Sequence, residues 1–109
     1  MLTLFRIAAL PLSLVIASIQ MASASTATSP AVLAKSRNCM ACHQTSGQAL
    51  GPGFVQVARK YEGVPDAGVV LQKKILTGGA GAWGNVPMPA NPHLTPEEAL
   101  ILANWILSK

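Results

Sequence analysis

Cysteine is scarce in this chain. There are two, and no second pair exists to complete a four-ligand zinc site. A disulfide joining the two would close a loop too small to restrain an unfolded chain much. A thioredoxin-type redox pair would need a βαβ context, and no alternating strand pattern is present. Charge is scarce as well, at 11% of residues with only four acidic side chains. The net charge of +4 is too weak to argue for nucleic acid. No internal repeat occurs, and 109 residues favour a single domain.

Apolar runs long enough to span a membrane are also missing. One shorter run, Ile7 to Ile19, follows Arg6 and precedes Ala22-Ser23-Ala24. It falls short of the roughly 20 residues a spanning helix needs, and Pro11 interrupts it. A charged start, an apolar middle and a small-residue A-x-A site together predict a cleaved secretory signal peptide over residues 1–24. The expectation is therefore a monomeric periplasmic domain over 25–109, with no stable membrane anchor. Arg6 is the one charge removed with the leader, so that domain carries +3. This mild excess suits docking onto acidic protein partners. A domain so small buries little of its surface and usually needs a further source of stability.

What the chain does have is Cys39-Met40-Ala41-Cys42-His43. Two cysteines three apart, followed at once by histidine, form the attachment signature for c-type haem. Each thiol adds across one vinyl group, and the spacing lets both sulfurs reach one porphyrin edge. His43 then falls beneath the iron as an axial ligand. The haem's apolar face would supply the core that a short chain lacks.

The second axial ligand is sought among methionines and the remaining histidine. Met1 and Met21 belong to the leader, and Met40 sits inside the motif on the His43 side. Met88 remains, 45 residues after His43 and framed by Pro87 and Pro89. The prolines hold the backbone extended, which lowers the cost of ordering a thioether at the iron. His93 is the rival, since bis-histidine haem proteins exist and it is the only other histidine.

Four short helices are expected. Ser29-Pro30 reads as N-cap and first position of a helix through Ala34, with Pro preset for that place. Phe54 to Tyr61 is the second, closed by Gly63. Asp66 is expected to cap a third over Ala67 to Thr77, ended by Gly78-Gly79. Thr95-Pro96-Glu97-Glu98 opens the last as a capping box. That helix is apolar on nearly every side, so another helix and a haem edge must cover it. Gly78 to Leu94 reads as a long loop, of the kind that usually carries function.

These residues resemble a known family. Cys39–His43, Gly51-Pro52, the stretch Trp83-Gly-Asn-Val-Pro-Met88-Pro-Ala-Asn91, and Ala103-Asn-Trp105-Ile-Leu-Ser-Lys109 look like the short bacterial class I c-type cytochromes of subclass D. The resemblance implies a small all-α cytochrome c fold around one covalent haem c. It implies His/Met ligation and an electron carrier rather than an enzyme. On that resemblance, the Pro52 carbonyl accepts the Nδ1–H of His43. The Trp83 indole N–H reaches a haem propionate, Lys74 faces the same propionate, and Asn91 donates to the ligand sulfur. Trp105 is core, where the last helix crosses the first. Ala34 departs from the family's common aromatic at that position, so looser packing of the terminal helices is expected. Electrons would leave by the haem edge near the attachment cysteines, with Lys35, Arg37, Arg59 and Lys60 steering an acidic redox partner. Two alternatives stand beside the free carrier. One is a dedicated donor subunit of an enzyme complex. The other is a ligand-binding sensor with a labile sixth ligand, against which no distal histidine–arginine pair suited to peroxide is evident.

Overall fold

In the computed structural model, which describes residues 27–109, the last helix is the element the others are built on. Helix α4 (Pro96–Leu107) packs against α1 (Pro30–Ser36), α2 (Phe54–Lys60) and α3 (Ala67–Thr77). Its apolar periphery follows from that position. Ala99, Leu102, Ala103 and Ile106 are all buried. Leu102 is 1% exposed, and burying such a side chain contributes about 1.5–3 kcal/mol. The capping box is complete: Thr95 Oγ1 accepts from the Glu98 amide at 3.1 Å, and the Thr95 amide donates to Glu98 Oε2 at 3.0 Å.

Ala34 is 1% exposed, in an α1 that packs on the helix of Ala99 and Ala103. Ala34 also lines the cavity described below. Trp105 sits differently from expectation. It is half-buried, edge-on to Phe54 of α2 at 5.4 Å, with Lys109 Nζ 4.2 Å over its ring. Its aromatic partner thus comes from α2, not α1.

Helix α3 buries Leu71 and Ile75, and Gln72 Nε2 donates to Pro96 O at 2.7 Å, tying α3 to the start of α4. Asp66 does not cap it through its side chain. Its backbone is left-handed, φ 53° and ψ 31°, whereas a capping side chain needs extended backbone to reach the next amides. Ser29 likewise makes no side-chain cap, although Pro30 occupies the first turn as expected.

The stretch read as loop contains a small antiparallel hairpin, β1 (Gly79–Gly81) and β2 (Gly84–Met88), pairing Gly79 with Met88 and Gly81 with Gly84. No side-chain alternation announces it, because its strands are exposed almost throughout and one of them is Gly-Ala-Gly. The fold remains all-α in its core. The expected leader, residues 1–24, and its cleavage site lie outside the described residues.

Candidate functional site

A cavity of about 320 Å³ opens between the helices and the hairpin. One wall carries Cys39, Cys42 and His43, the floor is α3 and α4, and the hairpin side carries Trp83, Pro87, Met88 and Pro89. Leu71, Ile75, Leu102 and Ile106 make the interior apolar, so each of the two inner helices shows its buried face to the cavity.

A single turn of backbone aims the attachment residues. The Cys39 carbonyl accepts from both the Cys42 amide (3.2 Å) and the His43 amide (3.0 Å). This tight turn over Cys39–Ala41, entered from left-handed Asn38, carries two free thiols and an imidazole to the same wall. Burial pushes the Cys39 thiol above its usual pKa, against a smaller opposing effect of its backbone hydrogen bond. It therefore waits as a neutral thiol rather than as a reactive thiolate.

His43 is fixed by three neighbours. Its Nδ1–H donates to the Pro52 carbonyl at 2.8 Å. A carbonyl only accepts, so the proton is on Nδ1 and the Nε2 lone pair is free to ligate. Phe54 stacks against the ring at 5.4 Å between centroids and 23° between planes. Gly51 presses its backbone close to the ring: an added Cβ would lie 2.6 Å from His43 Cε1 and 2.9 Å from Nδ1. Neither role was evident in the sequence. Phe54 read only as the start of the second helix, and Gly51 only as the residue before Pro52.

Met88 ends β2, is half-buried and lines the same cavity. Met40 is 36% exposed and His93 is exposed, and neither lines the cavity. Of the candidate ligands named from the sequence, His43 and Met88 are the ones that line the cavity. Lys74 lines the cavity from α3. Trp83 lies at its mouth, 40% exposed. Lys60 Nζ sits 4.5 Å over the Trp83 ring and donates to Ala82 O at 2.6 Å, pinning the hairpin tip to the end of α2. Asn91 is engaged with the end of α3. Its Nδ2 donates to Ile75 O at 2.8 Å, with a longer contact to Pro89 O at 3.4 Å, and it does not line the cavity. Among the described residues, no three His, Cys, Asp or Glu side chains gather as a metal cluster, so the zinc reading finds no site.

An apolar cavity lined by two thiols, one imidazole and one thioether fits a covalent haem. The family model for cytochrome c matches residues 31–109. The chain belongs to the cytochrome c family. It is 50% identical over 76 residues to cytochrome c-552 of Hydrogenobacter thermophilus, covering 70% of this chain and 76% of the relative. It is 38% identical over 98 residues to cytochrome c-551 of Pseudomonas aeruginosa, covering 90% of this chain and 93% of the relative. The crystal structure of wild-type Nitrosomonas europaea cytochrome c552 superposes with a TM-score of 0.69 at 44% identity, covering 72% of this chain and 96% of that one. As a member of this family, the chain carries one covalent haem c and transfers electrons with redox partners. Among the described residues, no helix is long and apolar enough to cross a membrane.

Proposed function

We propose that residues 25–109 form a monomeric periplasmic electron carrier. Cys39 and Cys42 hold the haem by thioethers, and His43 and Met88 are the axial ligands. The observation that carries this reading is the cavity itself, lined by both thiols, His43 and Met88 together. Bound haem c supplies a one-electron Fe(III)/Fe(II) couple. The rest is done by the chain. Pro52 O holds the Nδ1 proton of His43, which orients the ring and strengthens the donor nitrogen. Met88 offers a soft sulfur, which favours the reduced state. Leu71, Ile75, Leu102 and Ile106 keep the site dry, which disfavours the extra positive charge of oxidation. Lys74 and Trp83, both at the cavity, are the partners for haem propionates. With both axial positions occupied by side chains, this is a carrier and not an enzyme.

The test is carbon monoxide binding to reduced Met88→Ala and His93→Ala. The Met88 variant should bind it and lose potential, axial ligands being among the levers that spread haem potentials over roughly 0.8 V. The His93 variant should stay closed. The reverse pattern would mean bis-histidine ligation. A parent protein that itself binds carbon monoxide freely would favour the sensor reading.

Export through a leader ending at Ala24 supports the periplasmic assignment, since haem attachment and the A-x-A site fall in one chain. Mass spectrometry of the exported protein should find Ser25 at the N-terminus, and a retained Met1 in the membrane fraction would favour an anchor. The four candidate steering charges differ in how free they are. Lys35 and Arg59 are exposed, but Arg37 is paired with Glu98 at 2.7 Å and Lys60 is engaged on the hairpin. Lys35 and Arg59 are therefore the proposed docking charges for an acidic partner.

A further inference from the structure

The way α3 ends bears on where Met88 lies. Its last turn closes with the Gly78 amide donating to Lys74 O at 2.8 Å. The next two carbonyls, of Ile75 and Leu76, are among those a helix leaves without an internal partner. Both are taken by one residue from beyond the hairpin. Asn91 Nδ2 donates to Ile75 O at 2.8 Å, and the Asn91 amide donates to Leu76 O at 3.1 Å. Between these ends, Gly78 adopts φ 67° and ψ −160°, a conformation open to glycine and strained for other residues. It also leaves a hollow. An added Cβ would press on Met88 O, and would stand 2.7 Å from Ala90 N and 2.8 Å from Pro89 C. These are backbone atoms of three consecutive residues, and they have no rotamer by which to step aside. Gly79, the next residue, pairs with Met88 in the hairpin.

We propose that the C-terminus of α3 is the seat that positions the sixth ligand: Gly78 provides the hollow in which the Met88–Ala90 backbone rests, and Asn91 fastens that segment to the helix. The inference rests on the reading of Met88 as a ligand. Pro87 and Pro89 stiffen the segment, but stiffness alone does not say where it lies. Gly78 and Asn91 supply that location. They act through the backbone and are positioning residues. An ordinary helix-ending role for both would cost stability and nothing else, so the two accounts differ in what happens at the iron.

The experiment uses the full haem-loaded protein and four variants: Gly78→Ala, Asn91→Ala, Thr77→Ala and Met88→Ala. Thr77 Oγ1 donates to Lys73 O at 2.8 Å, so its variant alters the same helix end without touching the Met88 segment. Thermal midpoint, the sulfur-to-iron charge-transfer absorption of the oxidised protein, and carbon monoxide association with the reduced protein are measured on each. Losing a hydrogen bond of this kind should raise the population with an open iron, and hence carbon monoxide association, by roughly fivefold. That increase is expected for Asn91→Ala and Gly78→Ala, with the absorption fading on warming below the unfolding midpoint. Thr77→Ala should keep the iron closed whichever way its midpoint moves. If Gly78→Ala does not fold, Asn91→Ala against Thr77→Ala decides. Unchanged carbon monoxide rates in the Asn91 and Gly78 variants, or equal opening in Thr77→Ala, would overturn the inference. Met88→Ala separates the two failures. If it keeps the absorption, the ligand reading falls and this inference with it. If it loses the absorption while the Asn91 and Gly78 variants keep theirs, only the inference falls.

Discussion

A methyl group on Gly51 would meet His43 Cε1 at 2.6 Å. The imidazole has no room to yield, because Pro52 O holds one edge and Phe54 stacks on it. Gly51→Ala should therefore destabilise the protein by about 1–3 kcal/mol, the usual cost of overpacking. Denaturant unfolding measures this, and an unchanged midpoint would show that the ring moves freely. Such a role was not legible in the sequence, since it depends on two segments approaching each other. Cys39, Cys42 and His43 were legible because covalent attachment fixes their spacing within five residues. Met88 stood out by elimination and by its prolines. The two bonds from Asn91 to the end of α3 were not legible, because the open carbonyls of Ile75 and Leu76 arise only once that helix has formed.

Among the elements, α4 does most to join distant parts of the chain. Glu98 completes its N-terminal capping box and also accepts from Arg37 Nη2 at 2.7 Å, one residue past α1 and two before Cys39. The Arg37 hydrogen bond, with help from the Thr95 amide, holds the Glu98 carboxyl below the usual carboxylate range. A carboxyl depressed by folding stabilises above its unfolded value, roughly pH 4.3 for glutamate, and that contribution is lost as pH falls through the folded value. Denaturant midpoints of the parent and of Glu98→Gln should thus differ near neutral pH and converge on acidification. Parallel curves would show that the pair contributes nothing. The capping box was readable because its signal is local, four residues in a row. The hairpin was not, since backbone pairing of glycines leaves no pattern in side chains. Asp66 failed as a cap because its backbone is left-handed rather than extended.

For the whole molecule, the charge balance sets how partners are met. The +4 of the full chain includes Arg6 in the leader, and Arg37 is neutralised by Glu98. The remaining attraction is modest and exposed, so it is screened over about 8–10 Å at ordinary ionic strength. Electron-transfer rates with an acidic partner should fall severalfold as salt rises, and Lys35→Glu should weaken that dependence. A rate indifferent to salt would assign docking to apolar contact instead. The dominance of α4 reaches beyond the finished structure. It is the last of these elements in chain order, and α1, α2 and α3 all pack on it. During synthesis the earlier helices emerge without the surface that buries them. Each is 11 residues or fewer, below the roughly 12–15 at which an isolated helix becomes even marginal. The chain therefore stays open until α4 joins it, and Cys39 and Cys42 remain within reach of the haem-attaching step until then.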